Sequence, residues 1–284
     1  GDGHQAVLCG GDDCDDSAAA VFPGAWDGPA LGADPNRCMD GIDQDCDGIA
    51  DDPPDLDGDG WTACDGDCCE DVTCASNPAL VNPGAVEVAG DGVDNDCDGT
   101  VDAPLPTDCS TAAKFSAVSA LDAARALDLC QTTTANPPLP QKTWGLLSAS
   151  WTLADGTAAN LANSTNSQSA VMTGFGTNIL PRYNATLATL STGMARDVGD
   201  VGWVSPIAGT NFGSTLSFPA SGPLGTYLAA HGGQLASGSC KGSLCPTGSS
   251  ANDSIALHLV LRVPTNAQGF SFSFRFFSSE YQSF

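Results

Sequence analysis

Basic residues are almost missing from the first third of this 284-residue chain. Residues 1–102 contain one Lys or Arg, Arg37, against 26 of the 34 acidic side chains, which gives this stretch a net charge of −25. Residues 103–284 carry eight charges of each sign and are neutral. Phosphate contacts need Lys and Arg, so the scarcity of both excludes nucleic acid as a partner and disfavours adsorption to anionic lipid. Also missing is any run close to the roughly 20 apolar residues of a membrane span, so no membrane insertion is expected within this chain. The N-terminus lacks a basic-then-apolar signal pattern, and an export signal or an anchor is expected to lie outside the chain. No His-Glu-x-x-His, Gly-x-Ser-x-Gly or phosphate-cradling Gly loop with Lys occurs, and His4, His231 and His258 are far apart in sequence. Gly238-Ser-Cys-Lys-Gly242 is only superficially like a nucleophile elbow, and Cys245 beside it suggests a small disulfide loop. No enzyme is expected.

The length favours about two domains, and the charge places their division near residue 102. The acidic stretch has few large apolar side chains to offset its self-repulsion, so bound cations must supply what a core does not. It is rich in cysteine: ten of the 13 lie between Cys9 and Cys109, which suits an oxidising compartment where small modules are stapled by disulfides. An extracellular or cell-surface location follows.

The acidic stretch is also repetitive. Asp40-Gly-Ile-Asp-Gln-Asp-Cys-Asp-Gly-Ile-Ala-Asp51 and Asp91-Gly-Val-Asp-Asn-Asp-Cys-Asp-Gly-Thr-Val-Asp102 share every Asp, Gly and Cys of the common pattern. A second block precedes each copy. In the first it comprises Gly1-Asp2-Gly3, Cys9, the acidic run 12–16 and Pro23-Gly24-Ala25; in the second, Gly58-Asp59-Gly60, Cys64, the run 67–71 and Pro83-Gly84-Ala85. The period is about 50 residues, with units at about 1–52 and 55–102.

Calcium takes six to eight oxygens, and alternating acidic residues in a tight loop converge carboxylates on one point while Gly provides the turn. Asp43, Asp45, Asp47 and Gly48 have this spacing, with Asp51 to close the shell. Asp94, Asp96, Asp98, Gly99 and Asp102 repeat it. Asp55, Asp57, Asp59 and Gly60 give a third instance, completed by the carbonyl of Trp61 and a carboxylate near Asp65 or Asp67. Asp12 and Asp16 are further candidate ligands in the first upstream block. Neither the Glu at position 12 nor the flanking helices of an EF-hand are visible, so the loops are expected to be compact and helix-poor. The expected cofactor is several Ca2+ ions. Cys64, Cys68, Cys69 and Cys74 would mimic a zinc cluster, but matching Cys9 to Cys64 and Cys14 to Cys69 favours disulfides within each unit.

On these residues the blocks resemble a metal-binding motif scattered through bacterial surface proteins, and they are similar in logic to thrombospondin type 3 calcium repeats. The resemblance covers about residues 1–102. Ala89 in the second copy stands where the first has Cys38, so a Cys38–Cys46 bond would have no counterpart and Cys97 would pair elsewhere or stay free. With 13 cysteines, at least one is unpaired.

Pro104 and Pro106 mark a linker, 103–109. Ser119 and Asp122 resemble a capping box, and Leu121, Ala124, Leu127 and Leu129 suit a helix ending near Cys130. Strands are expected over 144–153, 170–175, 255–263 and 269–277. The last alternates Phe270, Phe272, Phe274 and Phe276 with Ser271, Ser273 and Arg275, and reads as a half-buried strand. Sequons at Asn163, Asn184 and Asn252 are short enough to arise by chance. The strings Leu190-Ser-Thr-Gly-Met-Ala-Arg-Asp-Val-Gly-Asp200, Asn252-Asp-Ser-Ile-Ala-Leu, Val263-Pro-Thr-Asn-Ala and Phe270-Ser-Phe-Ser-Phe-Arg-Phe-Phe-Ser-Ser-Glu-Tyr281 resemble the choice-of-anchor L family of bacterial surface proteins. That resemblance spans about 110–284 and implies a non-enzymatic surface domain, incomplete at its C-terminal end.

The expected fold is mainly β: helix-poor, disulfide-stapled calcium loops followed by a β-sandwich-like domain with one or two short helices. The expected role is an extracellular, calcium-stabilised structural or adhesive protein. The alternative is a secreted enzyme or a copper- or zinc-binding module, for which only His4 and unassigned cysteines speak. The partners expected are other copies of the chain or other surface proteins, because an unpaired Phe-rich strand would invite β-augmentation into a fibre or layer. Light scattering in calcium should then report assemblies, and a stable monomer at high concentration would count against them.

Overall fold

A chain this acidic has little apolar material to bury early on, and the two halves solve that problem differently. The computed structural model describes residues 3–28, 38, 40–107, 109–153, 156–159, 165–204, 215–217, 229–230 and 250–276. Cys240, Cys245, His231 and the Asn163 sequon lie outside these residues. The chain gathers into two units, one comprising Gly1–Leu105, Thr133–Gly145 and Arg262–Gly269, the other Pro106–Thr132, Leu146–Leu261 and Phe270–Phe284. The fold is helix-poor and disulfide-rich, with its strands in short sheets.

In the first unit, regular structure among the described residues of the two repeats consists of short 3-10 turns, among them Val7–Cys9, Ala63–Asp65 and Pro78–Leu80, and an isolated bridge between Ala6 and Asp13. Its backbone amides are satisfied by aspartate instead. Asp13, Asp40, Asp47, Asp57, Asp67 and Asp98 each accept from the amide two residues on, the Asx-turn that makes Asp a loop-former. The interior is polar to match: Asp13, Asp27, Gln44, Glu70 and Asn82 are almost fully buried, alongside Val21, Trp61, Val81 and Ala85.

Disulfides supply the cross-links. Cys14 pairs with Cys46 and Cys68 with Cys97, the same bond in each copy. The counterpart of Cys14 is therefore Cys68, not the expected Cys69: the second copy has six more residues between this cysteine and Pro-Gly-Ala, Cys69-Glu70 among them. Cys97 is paired, Cys38 bonds Cys64 across the copies, and Cys69 closes a short loop with Cys74. Cys9, expected to match Cys64, is free and exposed. The two later segments attach by named contacts. The Arg262 guanidinium donates to Thr133 Oγ1 and to the carbonyls of Thr134, Ala135 and Thr143. Thr265 and Asn266 bond the backbone of Gly84 and Val86.

The second unit has an apolar core. Helix α1 (Ala120–Arg125) carries the capping box expected at Ser119 and Asp122, and it buries Ala120, Ala123 and Ala124 at helical spacing. It ends at Arg125 rather than near Cys130, since Asp128 adopts a left-handed conformation and Leu127 is exposed. Strands β1 (Gly145–Thr152), β2 (Ser169–Met172) and β6 (Ala256–Arg262) lie at three of the four expected positions. β3 (Leu187–Leu190), β4 (Thr215–Ser217) and β5 (Ser250–Asn252) are too short to show a pattern in sequence. β1 pairs with β6, and β2–β3 and β4–β5 pair antiparallel, with Val171 opposite Ala188. α2 (Thr165–Gln168) leads directly into β2. α1, Trp151 of β1 and Val171 of β2 form one cluster, and Ala170, Met172 and Ala195 form another.

The fourth expected strand is a correction. Residues 269–276 form no strand, and Phe270, Phe272, Phe274 and Phe276 are between 70% and 90% exposed. Alternation buries a face only when a ladder holds the backbone flat against something, and no described strand pairs with this segment. The Phe rings stack on one another instead, Phe270 on Phe272 at 6.5 Å.

Trp151 is buried and its indole N–H donates to the Val118 carbonyl at 3.0 Å. Trp151→Ala should destabilise the second unit by about 3–5 kcal/mol, read as a loss of near-ultraviolet circular dichroism at lower urea than in the parent protein.

Candidate metal centres

Each conserved-spacing loop is shaped by its own carboxylates. Asp43 accepts from the amides of Asp47 (3.1 Å) and Gly48 (2.8 Å), and Asp94 accepts from Asp98 (3.1 Å) and Gly99 (2.9 Å). Gly48 and Gly99 have φ near 100° and 90°, the left-handed region where glycine is favoured. Asp47 and Asp98 cap the next turn through the amides of Ile49 and Thr100. Asp51 accepts from Asp40 and Gly41, and Asp102 accepts from Gly90, so each loop is tied back to its start.

The loops bring only some of the candidate ligands together. Asp43 and Asp45 meet Asp27, with side-chain oxygens within 4.8 Å of one another, and Asp94 and Asp96 meet Glu87 in the same way. Asp27 and Glu87 were not among the sequence candidates. Both are buried, and both bridge the two ends of a loop: Asp27 accepts from Gln44 and Asp52, Glu87 from Asn95, Asp96 and Ala103. The signal for them was present, since each lies two residues after the shared Pro-Gly-Ala. In both clusters an acidic side chain from the upstream block joins two from the loop.

Asp55, Asp57 and Asp59 also converge within 4.8 Å. Asp55 accepts from Gly58 and Gly60, and Asp59 from Trp61 and from the Asn82 amide side chain. Trp61 is buried, with its indole N–H donating to Leu139. Asp67 is brought to Asp57, together with Glu70, a residue that spacing did not single out. Asp47, Asp51, Asp98 and Asp102 are absent from these groups, as are Asp12 and Asp16; Asp12 lies 3.6 Å from His4 Nδ1. Asp65 accepts from the Thr62 hydroxyl. Cys68 and Cys97 lie beside Asp67, but their sulfurs are bonded to each other and offer no thiolate.

Crowding of like charges away from water raises the affinity for protons. Burial, reinforced by the neighbouring Asp59, Glu70 and Asp57 carboxylates, pushes Asp67 up to about 7. Burial likewise raises Glu70, Asp57, Asp59, Asp96 and Asp45 above the ordinary carboxylate range. Each of these shifts runs toward the neutral, protonated form.

A family model named for copper binding and MopE, with the description "Putative metal-binding motif", matches residues 13–52 and 74–103, about a quarter of the chain. One matched stretch contains Asp27, Asp43 and Asp45, the other Glu87, Asp94 and Asp96. Curated proteins and solved structures give no match. The acidic third is thus a disulfide-rich repeat bearing a metal-binding motif.

Asp67 ionises near 3.8 without its surroundings and near 7 within the fold. The cation-free folded state therefore binds more protons than the unfolded chain between these values, and its stability falls as pH rises through that window. Acidification from about pH 8 to about pH 5 should raise the unfolding midpoint of cation-free protein. In excess calcium the same change should lower it, because protons then compete with the ion.

Proposed function

We propose that the acidic third is a calcium-stabilised module of an extracellular or cell-surface structural protein, in which the ions act as internal cross-links. The observation that carries this reading is the duplication of a partly buried carboxylate cluster, buried Asp27 with half-buried Asp43 and Asp45, and buried Glu87 with half-buried Asp94 and Asp96. Every donor in both is a carboxylate oxygen, the preference of a hard cation; copper and zinc select imidazole and thiolate. Ten described cysteines are in disulfides, which suits an oxidising location and removes the thiolates.

The name of the matching family model points to copper as the second reading. His4, stacked on Phe22 at 4.9 Å, is the imidazole that would serve it, but it is a member of neither cluster. The second unit fits the role of a non-enzymatic, choice-of-anchor L-like surface domain. The exposed Phe270–Phe276 strip suits association with other copies or other surface proteins.

Elemental analysis of the purified protein should find calcium, and chelation should open residues 1–102 to protease while changing 110–284 much less. Copper or zinc without calcium, or equal protease sensitivity with and without chelator in the acidic third, would refute the proposal.

A further inference from the structure

We infer that Asp57, Asp67 and Glu70 form a third divalent-cation site, outside the two stretches that carry the repeat motif and assembled around a residue the first copy lacks. The identity of the ion rests on the calcium reading above; the existence of the site does not. Side-chain oxygens of the three residues lie within 4.8 Å of one another. Each carboxylate has one oxygen committed to the backbone: Asp57 Oδ1 accepts from Asp59 (3.1 Å), Asp67 Oδ1 from Cys69 (2.8 Å) and Glu70 Oε2 from Leu56 (2.9 Å). The second oxygen of each, Asp57 Oδ2, Asp67 Oδ2 and Glu70 Oε1, is buried and accepts no hydrogen bond. Asp67 is 6% exposed and Glu70 2%.

Buried acceptors left unpaired are costly, and buried charges more so. Three of them on carboxylates that approach within 4.8 Å of one another call for a common partner. A water molecule brings two hydrogens and no charge to three acceptors. A divalent cation satisfies all three at once, and a donor set made only of carboxylate oxygen selects calcium-like ions over zinc or copper.

The donors are held from two chain segments. Asp57 sits in the loop set by Asp55 and Gly60, while Asp67 and Glu70 flank Cys68 and Cys69, which are anchored to Cys97 and Cys74. Asp57 and Glu70 also line an open surface depression with Leu56, Asp71 and Val72, which gives an ion an entry path. The cation would thus clamp the 55–59 loop to the extra Cys69-Glu70 pair of the second copy.

The test uses the full chain. Glu70→Gln keeps the side chain's size and its bond to Leu56 while removing the charge, and it should bind one calcium ion fewer per chain in equilibrium dialysis. Asp67→Asn should lose the same ion, whereas Glu87→Gln should lose a different one, so that the Glu70→Gln, Glu87→Gln double variant loses two. Unchanged stoichiometry and affinity in both Glu70→Gln and Asp67→Asn overturns the site. Should either variant misfold, terbium-soaked crystals of the parent protein decide: an anomalous peak among Asp57, Asp67 and Glu70 supports the site. Peaks confined to the two repeat clusters overturn it and leave the proposed function standing; a parent protein that binds no calcium overturns the proposed function, and the site falls with it only if no terbium peak lies among the three carboxylates.

Discussion

The aspartate-to-amide hydrogen bond is the interaction on which the acidic unit depends. A loop without helix or sheet must still satisfy its backbone amides, and here Asp13, Asp43, Asp47, Asp55, Asp67, Asp94 and Asp98 accept from amides two to five residues ahead. That use fixes the side-chain rotamer, and it leaves the second oxygen of several carboxylates pointing elsewhere. Where three such oxygens are brought together, the by-product of loop formation becomes a cation cradle. Folding and metal capture therefore draw on the same residues, and neither is separable from the other.

The cost of this arrangement is charge. Burial away from water, reinforced by repulsion between neighbouring carboxylates, raises the proton affinity of Asp67, Glu70 and Asp96. The disulfides hold the segments together against it. Cys14–Cys46 and Cys68–Cys97 each tie an upstream acidic block to the loop that completes its cluster, so the covalent links lie where the electrostatic strain is concentrated. Cys46 and Cys97 take left-handed backbone angles near 60° and 55°, an uncommon conformation for a residue with a side chain, at the same place in both copies. The second unit carries no such burden and is held by α1, Trp151 and Val171 in the ordinary apolar way.

The site was only partly legible in the sequence. Asp43, Asp45, Asp94 and Asp96 were found because a tight loop converts sequence spacing directly into spatial convergence. Asp27 and Glu87 were not, although each lies two residues after the shared Pro-Gly-Ala, because they sit outside the alternating spacing of the loops; Glu70 has no counterpart in the first copy and carries no pattern of its own. Asp47, Asp51, Asp98 and Asp102 obeyed the spacing yet accept from backbone amides and join no carboxylate group, because the direction of each side chain is set by the backbone rather than by residue order.

What the sequence determined by itself was whatever depends on neighbours along the chain: the acidic repeat and its loops, the capping box at Ser119, and the strands β1 and β6. It also determined that a stretch with so much charge and so little apolar surface would need cross-links. Only the tertiary structure decided which cysteines pair, that residues 133–145 and 262–269 group with the acidic third, and that Phe270, Phe272, Phe274 and Phe276 remain exposed despite strict alternation. Periodicity records which face of a segment is apolar. Whether that face is buried, and which carboxylate outside a loop completes its cluster, depends on contacts between separate segments, and those exist only once the chain has closed on itself.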